Sequence, residues 1–329
     1  MPVLDNQGAP APDRRALDAA AGRVSELTHR TPVMTSSSLD ECLGARVFFK
    51  CENLQRIGAF KIRGAVNTLA SLSPEERARG FVTHSSGNHA QALALAARLF
   101  GAPATVVMPR NAPTVKRAAV KGYGARIVDC EPTFQAREDA AAELLEETGA
   151  HFVSPFDDAR IIAGASTATR ELLEDVPDLD LLLMPVGGGG LASGAALVAS
   201  ELSPSAKVIG CEPSGADDAA RSIAAGGRVT CERPDTVCDG LRGCLSDLTY
   251  DILQRHLEAI VTVDDSTTIR AMRFLWERMK LVVEPSGAIT CAGLFGAVEA
   301  AGYSLAGRRV GVMISGGNCD LDHLPWVRH

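Results

Sequence analysis

Between residues 80 and 156 the chain repeatedly follows an apolar run with a helical stretch rich in Ala and Leu. FVTHSS leads to NHAQALALAARLF, ATVVMP to TVKRAAVKGYG and ARIVDC to FQAREDAAAELLEETG, before AHFVSP closes the series. Short strands joined through helices return in the same direction, so this alternation predicts successive strand-helix units of a parallel sheet. A second series follows SPFDDA: DLLLMPV precedes GGGGLASGAALVASEL, KVIGCEP precedes ADDAARSIAAGG, and RRVGVMISGG comes near the end. Its strands are apolar throughout, as a sheet covered by helices on both faces requires. The VFFKCEN strand and the helix after Lys61 come before the first series and are assigned to the second lobe. The expected architecture is therefore α/β with two open parallel sheets. Residues 1–79 and 157–329 are expected to form the large domain, with 80–156 inserted as the small one. A chain of 329 residues, 46% hydrophobic, is long enough to fill two cores.

The formal charge of -7 offers no basic surface for a phosphate backbone or an anionic membrane, which favours small-molecule chemistry over nucleic acid. The N-terminal stretch has no basic segment followed by an apolar core, and no apolar run reaches the roughly 18 residues of a membrane span. A cytoplasmic protein is expected. Nine cysteines are scattered without CxxC or Cys/His ligand spacing, and Cys231, Cys238 and Cys244 are too widely spaced for a zinc knuckle. They read as reduced, mostly buried thiols.

Four short stretches carry chemistry. In GAFKIRGA, residues 58–65, Lys61 stands among small residues. Such a lysine either snorkels to water or, desolvated beside a planar ligand, keeps a neutral amine that attacks a carbonyl. GGGGLASG, Gly187 to Gly194, follows a buried strand and opens a helix, where backbone N–H groups surround a phosphate. Gly187, Gly189 and Ala192, with Glu212 twenty residues on, also fit a degenerate dinucleotide pattern, so an NAD-dependent oxidoreductase is the rival enzyme reading. SSGNHAQA, Ser85 to Ala92, suits a carboxylate at a strand-to-helix junction, or else Ser85 or Ser86 merely caps the helix. ISGGNCD, Ile314 to Asp320, is by itself a turn with a hydroxyl at a strand end.

Together these stretches resemble the fold-type II pyridoxal phosphate enzymes (tryptophan synthase β-like), and within them the serine racemase and serine/threonine dehydratase group, from about residue 15 to 327. ENLQRIGAFKIRGA is similar to the family's lysine motif, THSSGNHAQA to its substrate-carboxylate loop, PVGGGG to its phosphate cup and SGGNCDL to its pyridine-nitrogen motif. The resemblance implies that Lys61 carries the cofactor and acts as base, and that Phe60 lies against it. Gly187, Gly188, Gly189, Gly190 and Leu191 cradle the phosphate. Asn88 bonds the ring hydroxyl, and Ser315 faces the ring nitrogen with a neutral hydroxyl. Ser85, Ser86, Asn88 and His89 bind substrate, with Ser86 as the second catalytic group on the face opposite Lys61. EPSGADDA is similar to the divalent-cation loop of the racemase-like branch, with Glu212, the Ala216 carbonyl and Asp218 as ligands for Mg²⁺, Ca²⁺ or Mn²⁺. A homodimer is expected.

The implied activity is β-elimination from a β-hydroxy amino acid such as L-serine, L-threonine or 3-hydroxyaspartate, giving a 2-oxo acid and ammonia, with serine racemisation as a side reaction. Arg137 is a basic residue available for a second carboxylate. Three departures bear on the substrate: Ala59 where the family has serine, Ser154 where histidine is common, and GAST at 164–167, with Ala165 and Ser166, in place of GQGT. Ala59 alone suggests the third reading, a catalytically silent amino-acid-binding relative. No C-terminal regulatory domain of the kind carried by biosynthetic threonine deaminases is expected.

Overall fold

The computed structural model describes residues 10–112, 114–231 and 233–327. Ten strands run along it: β1 (Val33–Met34), β2 (Arg46–Cys51), β3 (Phe81–His84), β4 (Ala104–Pro109), β5 (Arg126–Cys130), β6 (His151–Phe152), β7 (Leu181–Pro185), β8 (Lys207–Pro213), β9 (Ala259–Val263) and β10 (Arg309–Ile314). Every strand expected from the apolar runs is present. The short β1 and the β-branched AIVTV of β9 are additional.

Two compact units divide the chain. One takes the residues up to Thr28 and Lys61–Gly164, the other His29–Phe60 and the chain from Ala165 on. The first holds a four-stranded parallel sheet in the order β5-β4-β3-β6. Alternation along β4 sorts its core: Val106 and Met108 face the helices Asn88–Leu99 and Thr114–Gly122, through Ala90, Ala94 and Val120. Val107, between them, turns to the opposite face with Val82, Ala141 and Leu144. The helix Lys61–Ala70 packs on Asn88–Leu99 in this unit, with Ile62, Ala65, Val66 and Leu69 fully buried.

The second unit holds a six-stranded sheet in the order β1-β2-β10-β7-β8-β9, parallel except for the β1–β2 pair. Alternate residues of each strand, among them Phe49, Val312, Leu183, Ile209 and Val261, meet Ile289 of the helix Pro285–Ala292 and Leu275 of the helix Asp265–Met279 in one large core. Each such side chain contributes about 1.5–3 kcal/mol by leaving water.

Strand order decides where a ligand can enter. In the first sheet the chain moves outward from β3 to β4 and β5, then returns to β6 on the other side of β3. In the second it moves outward from β7 to β8 and β9, then returns to β10 on the other side of β7. Loops after β3 and β7 therefore leave the carboxyl ends of strands where the order reverses, the position at which open α/β sheets form crevices. The loop after β3 contains Ser85–Asn88, and the loop after β7 contains Gly187–Gly190. Among the described residues no helix is long and apolar enough to cross a membrane.

Candidate active site

In the second unit, the glycine run leads into the helix Gly190–Leu202, whose N-cap, Gly189, has φ 87° and no side-chain cap. Only glycine adopts that backbone without strain. A Cβ on Gly187 would lie 2.8 Å from Leu241 Cα, and one on Gly189 2.8 Å from both Leu245 Cδ2 and Thr249 Cβ. The segment 241–249 thus roofs a loop that has no space for side chains. The helix start keeps its N–H groups and positive dipole end for an anion. One turn in, the buried Ser193 Oγ has no hydrogen-bond partner among the described residues. These features fit a phosphate. The dinucleotide reading fits less well, because the Glu212 carboxylate needed for a ribose is buried and already accepts the N–H groups of Ala219 and Ala220 at 2.9 and 2.8 Å.

At the end of β10, Ser315 is buried and its carbonyl accepts the Phe60 N–H at 3.0 Å. Ala59 bridges Gly316, Gly317 N–H donates to the Gly58 carbonyl at 2.9 Å, and Asn318 Nδ2 donates to the Ile57 carbonyl at 2.6 Å. This clamp explains an outlier: Ile57, a β-branched residue, sits at φ 61° beside Gly58 at φ 70°. Left-handed backbone at such a residue costs on the order of 1–3 kcal/mol, which the surrounding hydrogen bonds offset. Ser315 Oγ donates to the Ser286 carbonyl at 3.3 Å, Ser286 Oγ accepts from Gly240 N–H at 3.0 Å, and Leu241 follows over Gly187. Ser315 and the glycine loop therefore belong to one connected structure.

In the first unit, Lys61 opens its helix and its Nζ donates to the Pro155 carbonyl at 2.7 Å. The amine lies deep, and burial pulls its pKa down to about 8. Pro155 lies in a turn that Ser154 holds by accepting the Asp157 N–H at 2.9 Å. After β3, Ser85 Oγ accepts the Gly87 N–H at 3.2 Å, and the helix Asn88–Leu99 starts at Gly87 without a side-chain cap. Neither serine caps it, so its N–H groups also suit a carboxylate. His89 Nε2 faces the Val153 carbonyl at 2.9 Å and must donate to it, which leaves Nδ1 an unpartnered buried acceptor. Burial first, then the Lys61 charge, pushes His89 down to about 3, so this imidazole stays neutral. His84 stacks on Phe152 with ring centroids 5.4 Å apart, and burial followed by the charge of Arg137 lowers it to about 4.

In the second unit, β8 leads to the acidic turn. Glu212 and Asp218 are both buried; burial raises Glu212 to about 8 and also raises Asp218. Asp218 Oδ2 is buried without a hydrogen-bond partner among the described residues. No described cluster brings three His, Cys, Asp or Glu side chains together, so a third ligand must be a carbonyl such as that of Ala216. Two buried carboxyl groups with raised pKa values, one of them with an unused oxygen, fit a hard cation.

The first unit thus brings together Lys61, His89 and the turn at Ser85–Asn88. The second brings together Phe60, Ser315 and Gly187–Leu191, and separately holds the acidic turn. Residues missed in the sequence are the Pro155 carbonyl, Ser286 and the Leu241–Leu245 roof. A backbone carbonyl has no side-chain signature, and the leucines read as ordinary core.

A family model described as "Pyridoxal-phosphate dependent enzyme" matches residues 24–316. The chain is 46% identical over 308 residues to β-hydroxyaspartate dehydratase of Paracoccus denitrificans, covering 94% of this chain and 96% of that one. It is 45% identical over 303 residues to L-threo-3-hydroxyaspartate ammonia-lyase of Saccharomyces cerevisiae, covering 92% of each. Among solved structures, maize serine racemase superposes with a TM-score of 0.91 at 44% identity, covering 95% of both chains.

Proposed function

We propose 3-hydroxyaspartate as the substrate of a chain that belongs to the pyridoxal-phosphate dependent enzymes, in the group of serine racemases, hydroxyaspartate dehydratases and threonine deaminases. The reaction removes water across the α and β carbons and ends in a 2-oxo acid and ammonia. Arg137 supports the choice of substrate, because its charge, after burial, contributes to lowering His84, the residue immediately before the Ser85–Asn88 turn. A guanidinium near a carboxylate-binding turn suits a dicarboxylic amino acid. The identities to two hydroxyaspartate enzymes support the same reading.

Pyridoxal phosphate, when bound, supplies an aldehyde for the substrate amine and a conjugated ring that takes up the electron pair left at the α carbon. Lys61 would hold it covalently, with the N–H groups of Gly187–Gly190 and Leu191 on its phosphate, Phe60 and Asn88 at the ring, and Ser315 toward the ring nitrogen. Once its amine is released, Lys61 takes the α-proton, and its lowered pKa gives it a neutral fraction at physiological pH. The uncapped helix start after Ser85, with Ser86 and Asn88, holds the α-carboxylate. Neutral His89 keeps a second cation away from Lys61. Ser315 cannot carry a full negative charge, so it favours prompt loss of the β-hydroxyl over a long-lived carbanion.

The test is a substrate panel with wild type and Arg137→Gln. Loss of one charged hydrogen bond, roughly 1.5–3 kcal/mol, should lower kcat/KM for 3-hydroxyaspartate about 10- to 100-fold and leave L-serine within about twofold. Equal losses on both substrates would remove Arg137 from substrate recognition.

Ser86 is proposed as the proton donor on the face opposite Lys61, which makes racemisation the weaker activity because a serine is a poor acid-base group without activation. Ser86→Ala should abolish D-serine formation while L-dehydration survives. Chiral analysis showing both activities falling together refutes the two-face role.

Glu212, the Ala216 carbonyl and Asp218 are proposed to hold Mg²⁺ or a similar hard cation. Its binding to the folded state should stabilise that state by mass action. Adding Mg²⁺ to chelator-stripped protein should raise Tm, and Asp218→Asn should blunt the rise. An unchanged Tm excludes the site. A homodimer is the proposed assembly, to be checked by sedimentation.

A further inference from the structure

Cys231 and Cys244 are a pair of thiols to which no role in the chemistry above has been given. Both are partly exposed and unbonded. The Cys231 N–H donates to the Cys244 sulfur at 3.4 Å, and that thiol reaches the Cys231 carbonyl at 3.9 Å. The Cys244 sulfur thus packs directly on the main chain of Cys231, which places the two side chains side by side. Other contacts brace the approach. Arg228 donates to the Leu245 carbonyl at 2.9 Å and pairs with Asp247 at 2.5 Å, while Ser222 Oγ accepts the Val229 N–H at 2.8 Å. Cys51, Cys211, Cys238 and Cys291, by contrast, are sealed in the core, beyond the reach of a dissolved oxidant.

The position gives a crosslink consequences. Leu245, next to Cys244, and Thr249 stand over Gly189. We propose that Cys231 and Cys244 form a reversible disulfide that staples the 228–231 segment to the roof of the glycine loop. Hydrogen peroxide is the oxidant. One thiol becomes a sulfenic acid with release of water; the other sulfur then attacks it, the S–S bond forms as the S–O bond breaks, and the departing hydroxyl leaves with the second thiol proton as another water. A dithiol returns both protons and both electrons by exchange.

The experiment treats the full-length holoenzyme with hydrogen peroxide, blocks free thiols and maps peptides without reduction. The expected result is a peptide joining Cys231 to Cys244, cleaved by dithiothreitol, with Tm raised by roughly 5 °C over the reduced protein. Cys231→Ser and Cys244→Ser should each lose both the joined peptide and the rise in Tm. Recovery of either residue from the peroxide-treated wild type as a free thiol or sulfinic acid, or joined to a different cysteine, overturns the proposal. A joined peptide without a change in Tm overturns the staple. Neither readout uses turnover, so the result stands apart from the choice of substrate.

Discussion

Lys61→Ala should leave a folded protein that no longer holds pyridoxal phosphate covalently and has lost turnover by at least ~10³-fold, since one side chain supplies both the covalent link and the base. The visible absorption of the holoenzyme should be absent, and borohydride should fix no pyridoxyl group on the variant. A pyridoxyl group mapped to another lysine in wild type would falsify the assignment. Burial also gives this lysine a pH signature. With its pKa at about 8, rather than the ordinary value, about a tenth of the amine is neutral at pH 7, against roughly one part in three thousand for an exposed lysine. Reloading apoprotein with pyridoxal phosphate should therefore speed up as pH rises from about 7 toward 9, and level off above the lowered pKa. A rate still climbing as steeply beyond pH 10 would show an unperturbed amine.

Gly189→Val should be nearly as damaging. At φ 87° a β-branched residue is strained by at least about 1–2 kcal/mol, and its Cβ would press on Leu245 and Thr249. The loop must open, and losing even one charged N–H contact to phosphate is worth roughly 10- to 100-fold in affinity. Titration by absorbance should give a pyridoxal phosphate Kd raised about 100-fold or more, with the circular dichroism of the fold retained. Adding Leu245→Ala removes one clash but not the backbone strain, so rescue should be partial. Wild-type affinity in the single variant would take the glycine loop out of cofactor binding.

The sheets were legible in the sequence because most strands of the parallel cores are short apolar runs followed by a helix. AIVTV of β9 escaped because Glu258 and Asp264 flank it and its burial alternates only in part. The strand-to-helix junctions at the glycine loop and Ser85–Asn88 were legible because glycine runs and small polar residues between an apolar run and a helix are written in the sequence. The Pro155 carbonyl that receives Lys61 was not, since any residue presents a carbonyl. Ile57 was hidden for the opposite reason: a β-branched residue reads as extended chain, and only the hydrogen bonds from Gly317 and Asn318 around it make φ 61° tenable. The cysteine pair, thirteen residues apart, carries no motif because the fold alone makes the two neighbours.

β10, the last of the described strands in chain order, is inserted between β2 and β7, and the stretch just after it clamps Ile57–Phe60. Until residues 309–318 emerge, β1–β2 and β7–β8–β9 are separate fragments with unpaired edges, and the backbone leading into Lys61 has nothing to hold its left-handed turn. A chain clipped before residue 309 therefore carries every residue of the lysine motif and still lacks the hydrogen bonds that hold the Ile57–Phe60 turn.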